Sequence, residues 1–375
     1  MTGRNGSRRR TTILVLGVLL VVGALSGCAQ LTDIHDRSLI FGLGIDQGPQ
    51  RGMITLSAQA LHPPEGGTGG GTATSGGGGG GKGGEWKTLV SSGSTVSQAL
   101  GRLQAQSSRQ VFLGQLGIAF LSASLARQGV LHQLDFLVRS PQVTENLPIT
   151  VVEGRADAFL QGGTQQQVAW RVRAFVTRAR ANLAVLPNPL WHFMAQSFDL
   201  AGATYAPVFT AAPGAEGLRY VGTAVFLQGR MVDTLSPEES AALAWLIKRE
   251  GFGGITLGNG GNEFDVALHG IRAKWNVRDP SAPRLSLSAI GEVTASPGRS
   301  LADRPSGMRQ LVAHEMAAEI ADVLQRLQGD KADLLGIGER LREQGSLPPG
   351  PWPTNFARLR FTVSVQVLLI PGKVR

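Results

Sequence analysis

Cysteine is nearly absent from this chain: its 375 residues include one, Cys28. No internal disulfide can form and no thiolate metal cage can be built, so the cores must hold by packing. Aromatic residues make up only 6%, two of them tyrosine, which argues against an aromatic-lined solute cleft. Long uncharged apolar runs are scarce as well. The run Ile13–Leu25 has 13 residues, whereas a membrane-spanning helix needs about 20. Setting aside Arg4, Arg8, Arg9 and Arg10 lowers the formal charge from +9 to +5. That mild surplus suits an anionic lipid surface. It comes without the clustered basic face or aromatic-basic motif of a nucleic-acid binder, so no nucleic-acid partner is expected. What is present is a normal hydrophobic fraction of 42%, enough for two or three domains of roughly 100–200 residues.

The amino end has three parts. Met1–Arg10 is basic, Ile13–Leu25 is apolar, and Leu25-Ser26-Gly27-Cys28 follows at once. A lone thiol at the end of such a stretch has the pattern of a bacterial lipobox, where the sulfur takes up a diacylglyceryl group and the leader is cut before it. Residues 1–27 are therefore read as a lipoprotein signal peptide and Cys28 as the lipidation site. The competing reading is a small buried cysteine behind an ordinary signal peptide.

After Cys28, Ser38–Ile45 and Met53–Leu61 read as a hairpin. Gly66–Gly84 is nearly all Gly, Thr, Ser and Ala and is expected to be a flexible surface loop. The spacing predicts a helix over Thr95–Leu103 capped by Ser94 or Thr95, a buried strand over Val111–Leu121 and a helix over Leu125–Val138. A strand at Leu147–Val152 and a helix start at Ala156–Leu160 come next. Asn188–Gly217 has weak periodicity and reads as a connection or a small subdomain. Beyond it come a strand at Leu218–Phe226, a turn at Gln228-Gly229, and a helix opened by Ser236, Pro237 and Glu239 as a capping box. Strands at Glu263–Val277 and Arg284–Ala295, a long helix through Met308–Leu327, a short one at Leu334–Arg342 and a strand at Leu359–Ile370 complete the chain. The fold class expected is α+β (mixed α/β), several domains of mixed sheets flanked by helices. The divisions expected are 28–187, an N-terminal α/β domain; 188–262, a connection and middle domain; and 263–375, a C-terminal α/β domain.

Catalytic patterns fail one by one. Six histidines are scattered, and His314-Glu315 does not continue to a second histidine because Ala318 stands in the fifth place. Gly76–Lys82 has phosphate-loop spacing, but Gly83 occupies the magnesium-binding Ser/Thr position. Gly42, Gly44 and Gly48 miss the dinucleotide fingerprint by one residue; both glycine patterns read as accidents of composition. No G-x-S-x-G elbow exists. A glycosidase carboxylate pair stays open, because its separation is set by the fold. No metal or cofactor is expected, and no enzyme.

The segment Cys28–Asp46, CAQLTDIHDRSLIFGLGID, the block Ser94–Val143, the strand Gly222–Phe226 and the helix at Glu238-Glu239-Ser240 resemble the C-subunit lipoproteins of bacterial spore germinant receptors, the Ger(x)C family. The likeness covers nearly the whole chain after Cys28 and rests on the order of many weak motifs. Ala29 stands where the family often has Trp, Gln115 where His is common, and the glycine tract is unusually long. The resemblance implies a three-domain lipoprotein carrying S-diacylglycerol and N-palmitoyl groups on Cys28, on the outer leaflet of the spore inner membrane. Its implied partners are two multi-spanning proteins, the A and B subunits, and membrane lipid. The complex would respond to nutrient germinants such as amino acids or sugars, not necessarily bound by this subunit. The alternative is a solute-binding lipoprotein of a transport system.

Overall fold

The computed structural model describes residues 34–62, 85–162, 167–178, 185–213, 217–247, 251–257, 264–294 and 307–371. The leader, Cys28 and the Gly66–Gly84 tract lie outside the described residues.

The first hairpin is β1 (Arg37–Gln47) and β2 (Ile54–His62), and β2 pairs onward with β3 (Glu85–Gly93), all antiparallel. Thr95 accepts from the Gln98 amide and so starts α1 (Val96–Gln106), as its spacing predicts. The single strand expected over Val111–Leu121 is two: β4 (Gln110–Phe112) and β5 (Ile118–Ser122), both parallel to β1. The chain leaves the sheet through a tight turn at Leu113–Gln115, anchored by Gln142 on the Leu113 amide, and rejoins where the Gly117 amide donates to Phe41. The helix expected over Leu125–Val138 is likewise two, α2 (Ala123–Gln128) and α3 (Leu131–Arg139). Gly129 between them sits at φ 120°, beyond the reach of a helix, and the Val130 amide donates to Gly229 across the sheet.

Parallel strands continue with β6 (Ile149–Val152), followed by α4 (Ala156–Gln161) and α5 (Val168–Arg178). The region read as a connection holds α6 (Leu190–Phe198) and β7 (Ala203–Ala211), and β7 joins the sheet beside β6. Its weak periodicity has a cause: β7 is buried on both faces over Ala203–Phe209, so no polar alternation marks it. β8 (Leu218–Leu227) and β9 (Arg230–Leu235) complete a nine-stranded sheet, in the order β3-β2-β1-β5-β6-β7-β8-β9 with β4 beside β1. The sheet thus runs on through residues 187 and 188. The turn between β8 and β9 has positive φ at Gln228 and Gly229, the geometry of a two-residue hairpin.

The Ser236 capping box is formed: the Glu239 amide donates to Ser236 Oγ at 3.2 Å, and the Ser236 amide to Glu239 Oε2 at 2.7 Å. It opens α7 (Pro237–Ile247), a helix buried over Ala242–Leu246. A second, four-stranded sheet follows, β10 (Gly251–Leu257), β11 (Phe264–Asn276), β12 (Arg284–Thr294) and β13 (Thr362–Pro371), in that order. Against it lies α8 (Met308–Gly329), with Met308, Val312, Met316, Ile320, Val323, Leu324 and Leu327 inward. Leu311, one residue before the buried Val312, points away from this stripe and is 49% exposed. Two short helices, α9 (Ile337–Glu343) and α10 (Trp352–Phe356), precede β13.

Packing explains the layering. One face of the large sheet is covered by α1, α2, α3 and α6. On its other face, α4 and α5 cover β1, β5 and β6, while α7, α8 and the small sheet cover β7 through β9. The glycines of β1 make that second face possible. A Cβ on Gly42 would lie 2.3 Å from Ala169 Cβ on α5, and one on Gly44 would lie 3.0 Å from Ala156 Cβ on α4. The spacing read as an accident of composition is what lets two helices approach a strand closely.

Candidate functional site

Cys28, the single site residue expected from the sequence, lies outside the described residues, six positions before Ile34. The described chain begins with the hairpin that follows it in the sequence. At the end of the G-L-G-I-D stretch, Asp46 is 1% exposed, and its carboxylate accepts from the amides of Ala156 at 2.7 Å and Asp157 at 2.9 Å. A buried acid with two donors is satisfied as a cap on the first turn of α4. Burial raises its pKa, and the two amides oppose the rise. Gln59 on β2 accepts from the Ala169 amide at 3.0 Å, so two side chains of the first hairpin fix the starts of two helices.

The histidines remain dispersed. His62 Nε2 is 2.7 Å from Ser38 Oγ, a serine–histidine contact of the kind nucleophilic catalysis uses. Ser38 is fully buried, however, and its hydroxyl is also 3.4 Å from Ser107, so the pair links β1, β2 and the end of α1. His192 is held by Asn188 at 2.8 Å, and burial lowers its pKa. His269 lies 3.6 Å from Glu292 on the outer face of the small sheet. Among the described residues no group of three or more His, Cys, Asp or Glu could hold a metal. No described helix is long and apolar enough to cross a membrane.

The charged residues converge at the seam between α7 and α8. Arg326 donates to both carboxylate oxygens of Glu239 at 2.7 Å and to Asp233 at 2.6 and 3.0 Å. Around this hub, burial and the neighbouring Glu315, Glu238 and Asp322 push Glu319 up to about 7, and burial with Asp233 pushes Asp330 up to about 6. A carboxylate with a raised folded-state pKa binds more protons folded than unfolded, so it favours folding as pH falls. Stability is therefore expected to decline between about pH 4.5 and 7 through Glu319. Thermal melts at pH 5.5 and 8 should show the higher Tm at the lower pH, and Glu319→Gln should shrink the gap. An unchanged gap would assign it elsewhere.

Three features of the surface stand out chemically. α6 buries Leu190 and Phe193 but leaves Trp191 50% and Phe198 71% exposed; seven residues apart, they share a side of the helix. A cavity of about 630 Å³ lies between the first turns of α8 and strands β11 to β13. A smaller one, about 250 Å³, opens between α1 and α3 beside His132 and Arg139. Sequence reasoning found none of these: each cavity is assembled from residues far apart in the chain, and which side of α6 stays exposed is set by its packing.

The order of these elements can be set against known proteins. Residues 30–211 match the family model described as "Spore germination protein N-terminal domain", and residues 221–370 match "Spore germination B3/ GerAC like, C-terminal". The chain belongs to this family. Among its GerAC-like relatives, the putative spore germination protein YfkR of Bacillus subtilis (strain 168) is 26% identical over 338 residues, covering 86% of this chain and 85% of that protein. Spore germination protein YndF of the same organism is 22% identical, with 96% of each chain covered. The crystal structure of the GerBC protein superposes with a TM-score of 0.54 at 17% identity, covering 90% of this chain and all of that one. The mixed α+β fold expected from the sequence is thus shared with the GerBC structure. The first family segment ends with β7 at Ala211 and the second begins inside β8 at Val221, yet β7 and β8 are paired neighbours in one sheet. The C-terminal segment therefore supplies the last two strands of the N-terminal sheet.

Proposed function

We propose that this chain is the C subunit of a spore nutrient germinant receptor, a non-enzymatic lipoprotein tethered by lipid on Cys28. It sits on the outer leaflet of the spore inner membrane and assembles there with the A and B membrane subunits. The observation that carries this reading is the match of both family segments, in order, over residues 30–370. The tether length supports it. The six residue steps from Cys28 to Ile34 reach at most about 22 Å at 3.3–3.6 Å each, which keeps the start of β1 beside the bilayer. The exposed Trp191 and Phe198 supply an apolar surface of the type that subunit contacts bury. The alternative, a solute-binding lipoprotein, calls for two lobes of repeated βα units; the two sheets here differ in strand number and order.

The test is isolation of the native complex. Detergent extraction of spore membranes through a C-terminal tag should recover two multi-spanning proteins in equal amount with this chain. Recovery of the chain alone, coupled with tight binding of one small solute by it, would replace the receptor reading with the transport one.

A further inference from the structure

We propose that the cavity between α8 and the small sheet binds a small organic carboxylate with a branched apolar body. Its volume, about 630 Å³, lies in the range of small-molecule sites, roughly 300–1,000 Å³. Arg272 from β11 and Arg309 from α8 both line it, and neither makes an ion pair or hydrogen bond among the described residues. Gln310 and Gln366 add amide donors. α8 begins after Gly307 without a side-chain cap, so its first-turn amides add partial positive charge. Glu292, the acid next along β12, is engaged by His269.

The other half of the lining is apolar. Ile290 and Leu368 lie opposite each other in the β12–β13 register and are 38% and 61% exposed. On a sheet face that also carries Arg272, His269, Ser288, Glu292 and Gln366, they form the apolar part of a lining that includes Arg272 and Arg309. Arginine pairs with a carboxylate through two parallel hydrogen bonds, and the apolar part takes an aliphatic chain. An amine in the same place would face two positive charges. The site therefore ranks ligands by charge, with carboxylate ahead of amino acid and amino acid ahead of amine.

Isothermal titration of the mature full-length chain tests this with four probes: 4-methylpentanoate, leucine, 4-methylpentylamine and inorganic phosphate. The carboxylate should bind saturably, with leucine about tenfold weaker and the amine not at all. Arg272→Gln and Arg309→Gln should each weaken 4-methylpentanoate about tenfold. Both side chains are exposed, so melting temperatures should stay unchanged. Leu368→Ser should weaken the carboxylate and leave phosphate unaffected. The proposal is overturned if 4-methylpentanoate shows no saturable binding, if the double arginine variant binds it undiminished, or if phosphate binds as tightly.

Discussion

Asp333→Ala is expected to destabilise the protein by about 4 kcal/mol, because it orphans a cluster of buried donors. Asp333 is 3% exposed. Its carboxylate accepts from the amides of Leu335 and Ile337 at 3.1 Å, from Gly338 at 2.8 Å, and from the Trp352 indole at 2.9 Å. It is the cap of α9 and the clasp holding α10 onto it. Leaving a buried donor unpaired costs about 1–3 kcal/mol each, and removing the carboxylate recovers part of its desolvation cost, which gives the figure above. Burial raises the Asp333 pKa while the four donors lower it, so Asp333→Asn, which keeps an acceptor oxygen, should lose less than half as much. Space around the clasp is tight: a Cβ on Gly338 would lie 2.5 Å from Trp352 Nε1, which leaves little room for a water to replace the carboxylate. Urea denaturation followed by tryptophan fluorescence reads the effect. A loss below about 1 kcal/mol would mean that the donors find other partners.

Cys28→Ala should remove the lipid anchor and release or mislocalise the protein. Two acyl chains make a stable anchor and one is marginal, since each buried CH₂ contributes about 0.8 kcal/mol. No described helix offers a substitute, and the apolar leader of 13 residues falls short of the roughly 20 a span requires. In the variant, labelled fatty acid should be absent from the chain and the leader should stay uncut by the lipoprotein peptidase. Fatty-acid labelling that persists without Cys28 would end the anchor assignment. The two variants separate cleanly, because the first should alter folding with lipid intact and the second the reverse.

The success of the sequence reading followed the range of the interactions. Thr95 and Ser236 bond within three residues of themselves, and both helix starts were predicted where they occur. The β8–β9 turn needs two residues with positive φ, and Gln228-Gly229 advertised it. The failures are nonlocal. Gly129 ends a helix because Val130 is claimed by Gly229, a hundred residues away. β7 was invisible because burial on both faces erases the polar alternation that marks a strand, and α6 because its exposed side carries Trp191 and Phe198 in place of a polar face. Gly42 and Gly44 resembled a failed nucleotide motif until Ala169 and Ala156 were placed against them.

By itself the sequence determined the lipid-anchor expectation at Cys28, the mixed α+β class, the family and the local caps, because each depends on residues adjacent in the chain or on their order along it. Only the tertiary structure decided that the N- and C-terminal segments share a sheet, that Asp46 and Asp333 are helix caps, and that Arg272, Arg309 and Leu368 meet around one cavity. Those arrangements are made by strand order and close packing, and neither leaves a periodic mark on the residues that take part.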